Sequence, residues 1–246
     1  MIINNHSVHI SRSHARVYFL GLLLLQSGLA AGVSTARIDT FSDGTLQGWA
    51  MGDTVVTGTH MTNIATGGPA GTGDSYLEVI SDNTAVAGGR LTFFNQAQWT
   101  GDYPGAGITA IAMDLKNFSS TETLNLRLAL EGGISALVGG LFATSTSVPL
   151  QSGSDWTRVV FSLAPGDLVP VSGRSGVTGN DVMAALGNVV ELRLLNSADP
   201  DWTGLPVSAT LGIDNIHVVP LPPTLALFGS GLVVLLARRR KQNLQA

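Results

Sequence analysis

Two tryptophans stand in segments where a sugar could meet them. Trp99 lies in Gln96-Ala-Gln-Trp-Thr-Gly-Asp-Tyr103 and Trp202 in Asp199-Pro-Asp-Trp-Thr-Gly204, both polar and glycine-flanked. An indole in such a loop can stack on the apolar face of a pyranose while neighbouring carboxylates and amides bond its hydroxyls, and convergent polar groups around an aromatic orient a small ligand. Trp99, Tyr103 and Trp202 are therefore candidate ligand-binding residues; the alternative is an indole that tucks its loop onto the body of the protein. Trp49, after a tight glycine turn, and Trp156, at the start of a strand, are read as core. Aspartate outnumbers glutamate 13 to 4, and turns rich in carboxylates and carbonyls are what Ca²⁺ needs, with about six to eight oxygen ligands. Gly73-Asp-Ser75 and Asp214-Asn-Ile-His217 hold a serine, an aspartate and a histidine. In nucleophilic catalysis the histidine would take the serine proton and the aspartate would orient it. Asp214 and His217, three apart on one strand, are expected to point to opposite faces.

Composition narrows what these residues could serve. The 246-residue chain is 44% hydrophobic and 12% charged, with 30 Gly, 10 Pro and no Cys. The absence of cysteine excludes a disulfide scaffold, thiol catalysis and cysteine-ligated metal. All 17 acidic residues lie between Asp39 and Asp214, and residues 37–217 hold only seven basic ones beside them, so this stretch carries −10 while the whole chain carries −4. Such a surface repels phosphate backbones, which argues against nucleic acid as a partner.

The elements that must position these residues are strands. Leu124-Asn-Leu-Arg-Leu-Ala-Leu-Glu131 alternates apolar and polar residues without a break, the pattern of a half-buried strand. Ile108–Leu115, Trp156–Leu163, Val189–Leu195 and Ala209–Val218 are further strands, with Tyr76–Ile80 and Arg90–Phe94 beside them. Gly67–Asp74 and Gly101–Gly105 are turn clusters. Only Asn180–Leu186 is helical in pattern, with Asn180 as its expected N-cap. Many strands, glycine-rich turns and almost no helix predict an all-β fold, a β-sandwich or jelly roll, over residues 37–217.

The two ends read as addresses. Arg12 and Arg16 precede the nine-residue apolar run Val17–Leu25 and then small residues, the order of a secretory signal peptide over residues 1–36, with cleavage after Ala30 or Ala36. At the other end Val219-Pro-Leu-Pro-Pro-Thr leads into 14 uncharged residues, Thr224–Ala237, followed by Arg238-Arg-Arg-Lys241. This is a short transmembrane helix, about 21 Å if helical throughout, with its basic stop on the cytoplasmic side. Residues 218–246 resemble the PEP-CTERM sorting signal of Gram-negative bacteria, carried here by Pro220, Leu221 and Pro222, the apolar helix, and Arg238, Arg239 and Arg240. Leu221 stands where the commoner motif has Glu. The resemblance implies export, transient anchoring in the inner membrane, and handling by an exosortase that leaves the domain at the surface or outside the cell. It also implies an association with exopolysaccharide and biofilm.

Asp39-Thr-Phe-Ser-Asp-Gly-Thr-Leu-Gln-Gly-Trp49, Gly73-Asp-Ser-Tyr-Leu-Glu-Val79 and Leu211-Gly-Ile-Asp-Asn-Ile216 resemble the first, early and last strands of jelly-roll carbohydrate-binding modules and their galactose-binding-like relatives. That resemblance implies a non-catalytic binding domain with a structural Ca²⁺ joining the opening turn to the closing strand. Asp43 and Asp214 are the matching positions, Asp39 and Asp74 further candidates, and Ser42 stands where the family often has a Glu ligand. Gly73-Asp-Ser75, Gly179-Asn-Asp181 and Asp214-Asn-Ile-His217 also resemble blocks of GDS-type esterases, but those are α/β proteins and this chain lacks the helices. A purely structural surface protein and a polysaccharide-acting hydrolase are the alternatives to binding; two carboxylates at a glycosidase's spacing cannot be picked out of 17 acids in a sequence.

Overall fold

The computed structural model describes residues 33–52, 60–85 and 89–220. Residues 1–32 of the expected signal peptide and the expected transmembrane run Thr224–Ala237 lie outside these residues. Among those described, no helix is long and apolar enough to cross a membrane.

Thirteen strands form two antiparallel sheets: β1 (Ile38–Asp39), β2 (Trp49–Met51), β3 (Met61–Ile64), β4 (Tyr76–Asp82), β5 (Thr92–Asn95), β6 (Ile108–Asn117), β7 (Leu124–Ser135), β8 (Val138–Thr144), β9 (Val148–Leu150), β10 (Thr157–Ser162), β11 (Leu168–Pro170), β12 (Val189–Asn196) and β13 (Ser208–Pro220). The first sheet has the order β10-β6-β13-β4-β3, with β1 paired to β13; the second has the order β11-β8-β7-β12-β5-β2, with β9 paired to β7. The all-β sandwich expected from alternation is what forms. Leu124, Leu126, Leu128 and Leu130 of β7 point inward and are all buried, as are Leu77 and Val79 of β4, Ile111, Met113 and Leu115 of β6, and Leu211 and Ile213 of β13. Each such side chain contributes about 1.5–3 kcal/mol on removal from water.

Three local features depart from the sequence reading. The helix α1 (Val182–Leu186) is capped by Asp181, whose Oδ1 accepts from Ala184 N at 3.0 Å, rather than by Asn180. Strand β8 escaped notice because Gly139 and Gly140 blur its alternation. Gly133 and Gly139 both take φ +114, and a Cβ at either would stand within 2.0 Å of main-chain oxygen across the hairpin, so only glycine fits there. The packed domain also exceeds 37–217. Val33 is buried and donates to Thr100 O at 2.7 Å, and β13 continues through Pro220, which pairs with Ile108. Pro220 is thus the last residue of a strand.

Candidate functional site

The solvent-facing side of the first sheet gathers chemistry from four strands. Cross-strand pairing sets Gly212 opposite both Glu78 and Lys116, and Asp214 opposite Asp114, which in turn pairs with Arg158. Phe118 follows β6 and Trp156 precedes β10, and both rings close over Gly212. A Cβ there would lie 2.7 Å from Phe118 and 2.8 Å from Trp156, so the glycine makes the floor on which the rings rest. Tyr76 completes the cluster, stacked on Phe118 with centroids 5.8 Å apart and edge-on to Trp156 at 5.3 Å. Trp156 donates its indole N–H to Gly67 O at 3.0 Å, tying the cluster to the Gly67–Asp74 loop. Lys116 Nζ lies 5.1 Å from the Phe118 centroid and 3.4 Å from Asp155.

Phe118 remains 39% exposed and forms one wall of an open groove of about 380 Å³. Small-molecule sites run from about 300 to 1,000 Å³. Ser119, Ser120, Thr121, Ser208 and Thr210 line the groove with hydroxyls, and Glu122 with a carboxylate. Ser81 and Ala209, which border the groove through the backbone, turn their side chains inward. A partly exposed aromatic beside hydroxyls that can both donate and accept is the pairing a sugar requires: a ring face against carbon, and hydroxyls against hydroxyls.

Asp214 lies on the same face. A β-bulge shifts the register between Asp214 and His217, with Asn215 at φ +50. The extra residue restores His217 to the outer face, so the expectation of opposite faces for Asp214 and His217 is corrected. Asn215 Nδ2 donates to Asp114 Oδ2 at 2.9 Å, and Arg158 Nε to Asp114 Oδ1 at 2.9 Å. Asp214 itself is buried, and neither of its oxygens has a hydrogen-bond partner among the described residues. Burial above all, and then the charges of Asp74 and Asp114, push its carboxyl up to about 7. His217 Nδ1 meets Asn215 O at 2.7 Å, so no Asp–His pair of the esterase type forms.

The remaining expected site residues are placed differently. Trp99, Tyr103 and Trp202 are all buried, so none offers a face to a sugar, and their assignment as stacking residues is corrected. Trp99 Nε1 and Trp49 Nε1 both donate to Asp39 Oδ2, at 2.7 and 2.9 Å. This carboxylate of β1 therefore joins the two sheets and is engaged by indoles. Tyr103 donates to Trp99 O at 2.7 Å, and burial raises its phenol. Asp43 is exposed; its Oδ1 accepts from Thr45 N and Oγ1 at 2.9 Å each, which holds its carboxyl below the usual range. The opening turn is closed by Asn63, whose amide donates to Phe41 O at 2.7 Å and Thr45 O at 2.9 Å.

Among the described residues no group of three Asp, Glu or His side chains is arranged to hold a metal. Of the four expected Ca²⁺ ligands, Asp39 accepts from two indoles, Asp43 from Thr45, and Asp74 Oδ2 from Ala70 N at 2.7 Å. Asp214, with orphaned oxygens, fits a cation, and Asp74 acts on it electrostatically. Leu221, Pro222, Arg238, Arg239 and Arg240 lie outside the described residues.

The outer face of the second sheet is covered by the chain itself. Glu191 is buried and accepts from Arg174 Nη1 at 3.0 Å, from Gln96 Nε2 at 2.7 Å, and from Arg193 Nε. Arg174 also pairs with Glu131. Trp202 lies flat over Arg193, 4.0 Å from guanidinium to ring centroid, and packs with Ala129, Leu141, Ala143 and Leu195. Arg127 donates to the carbonyls of Thr144, Ser197 and Ala198, fastening the segment that precedes Trp202.

Sequence reasoning missed Phe118 and placed Trp156 in the core. The available signal was the run Lys116-Asn-Phe-Ser-Ser-Thr-Glu122, an aromatic followed by hydroxyls at a strand end.

No protein-family model matches this chain, and no curated protein does. Its fold is similar to part of an exo-β-agarase, with a TM-score of 0.51, 12% identity, and coverage of 76% of this chain and 26% of that one. The chain thus spans about a quarter of the length of that enzyme. The family 11 carbohydrate-binding module of Clostridium thermocellum, in complex with a β-1,3-1,4-mixed-linked tetrasaccharide, aligns with a TM-score of 0.45 at 14% identity, covering 75% of this chain and 95% of that one. The solution structure of CtCBM11 aligns with 0.47 at 16%, covering 77% and 97%. For the agarase, at 12% identity, the likeness is one of fold alone.

Proposed function

We propose that this chain is an exported, non-catalytic surface or matrix protein that binds polysaccharide on the outer face of its first sheet. The observation that supports this reading is the Phe118–Trp156 pair, seated on Gly212 beside a hydroxyl-lined groove. Phe118 supplies the stacking surface, Trp156 and Tyr76 hold it upright, and the hydroxyls and Glu122 meet the sugar. A Ca²⁺ of the kind the resemblance implies would be held by Asp214 with Asp74, where it would neutralise a buried carboxylate. Two carboxylates make a weak Ca²⁺ site.

Export and exosortase handling belong to the same proposal. Cleavage after Ala30 leaves Val33 in the core, whereas cleavage after Ala36 removes it. Loss of the tail beyond Pro222 leaves β13 whole. Both support signal removal at Ala30 and release near the Pro motif, delivering the domain to the exopolysaccharide of a biofilm. Mass spectrometry of the extracellular form checks this: a terminus that retains Arg238 to Lys241 overturns the sorting reading.

Binding is tested by native electrophoresis through gels containing hydroxyethyl cellulose or agarose. The wild-type chain is expected to be retarded by at least one, and Phe118→Ala to lose about tenfold or more in affinity, as for loss of one stacked base in other aromatic platforms. Free migration through every polysaccharide gel would instead favour a purely structural surface protein.

A further inference from the structure

We infer that the groove selects an uncharged polysaccharide chain and rejects chains bearing carboxylate or sulfate groups. This rests on the polysaccharide-binding reading above and names the ligand class of that site. Two observations carry it, one about hydrogen bonding and one about charge.

The hydrogen-bonding groups of the groove are those of an alcohol-reading surface. Hydroxyl side chains both donate and accept, so they pair with sugar hydroxyls in either sense. Ser119 Oγ already accepts from Thr210 N at 3.1 Å, which leaves its own proton to offer. Glu122, the charged residue among the groove's lining, accepts only.

The charges around the groove exclude anions. Glu78 and Asp82 stand on β4 on either side of Ile80, on the same face as the groove wall. Arg158 grips Asp114 through two nitrogens at 2.9 and 3.2 Å, His60 lies against Ile80 O and Asp82, and Lys116 lies between the Phe118 ring and the exposed Asp155, 3.4 Å away. A uronate or sulfate ester entering the groove would meet the carboxylates of Glu122, Glu78 and Asp82, which outnumber the Lys116 ammonium beside Phe118. Like charges brought together across an interface are a strong specificity element. The same carboxylates accept hydrogen bonds from neutral sugar hydroxyls.

The test uses two pairs of polymers in which charge is the main difference. The full chain is run through gels of hydroxyethyl cellulose against carboxymethyl cellulose, and of agarose against κ-carrageenan. Retardation by the neutral member at least about tenfold stronger than by its anionic partner at about 20 mM salt is expected, the gap narrowing as salt screens the repulsion. The double variant Glu78→Gln, Glu122→Gln should gain affinity for the anionic member. Equal retardation within a pair, stronger retardation by the anionic member, or a double variant that leaves the ratio unmoved overturns the charge selection while the binding function stands. No retardation by any polymer overturns the binding function itself.

Discussion

The two outer faces of this sandwich carry similar residues and use them in opposite ways. Each has a tryptophan, an arginine and a buried carboxylate on a central strand. On the second sheet Glu191 receives three donors, Arg193 is sandwiched between Glu191 and the ring of Trp202, and Arg127 spends its guanidinium on three carbonyls. These charged groups are all answered from within, and they close that part of the face. On the first sheet neither oxygen of Asp214 has a hydrogen-bond partner among the described residues, and Phe118 is open to solvent. A satisfied network closes a surface against ligands, while unsatisfied groups and a bare aromatic leave it ready for one.

The largest effect that would sharpen this contrast is expected on the closed face. Glu191→Ala strips the carboxylate from Arg193, whose side chain is 12% exposed, and leaves Arg174 with Glu131 alone. It should cost about 3–5 kcal/mol in urea unfolding without altering polysaccharide affinity in the fraction that folds. Trp202→Ala should cost about 3 kcal/mol by leaving a cavity over Arg193, again with binding unchanged. A folded Trp202→Ala protein that has lost polysaccharide binding would break the comparison.

On the open face the expected effects are smaller and depend on solution conditions. Asp214 titrates at about 7 in the folded chain, above an ordinary aspartate. The native state therefore holds its proton more tightly than the unfolded state. This stabilisation is complete below the unfolded value and lost as pH rises towards the folded one, at up to about 1.4 kcal/mol per pH unit. In EDTA, Asp214→Asn should flatten that slope between about pH 4 and 7 and leave the protein about 1–3 kcal/mol more stable than wild type at pH 8. Parallel pH curves would show that the carboxylate is solvated rather than buried. Smallest of all, Ca²⁺ at about ten times its Kd should restore about 1.4 kcal/mol to the wild type at pH 8 and nothing to Asp214→Asn. Superimposed melting scans with and without Ca²⁺ would leave the proton as the sole neutraliser of that site.

Much of the sandwich was legible in the chain because strand alternation is local. The leucine ladder of β7 and the long closing strand β13 declare one buried face wherever they are placed. Strand β8 was hidden because its glycines answer to a hairpin partner rather than to the core, and β1, β2, β9 and β11 are too short to show a period. The site was less legible. Trp99 and Trp202, in polar loops, are buried; Trp156, at the head of a strand, is half open.

What the sequence by itself determined is the kind of molecule: an acidic, cysteine-free, all-β domain, set by periodicity and composition that act over a few residues. Which aromatic meets solvent was decided only in three dimensions. Trp99 is drawn inward by the Asp39 carboxylate 60 residues earlier. Trp156 is held at the surface by Gly67 O, 89 residues away, and by a glycine floor on β13 that admits its ring. The proton affinity of Asp214 was likewise set by burial beside Asp74 and Asp114, on loops and strands distant in the chain. Local pattern specifies which face of a strand is apolar, but coverage of the other face depends on loops whose partners lie far along the chain, and coverage is what turns a residue into core or into site.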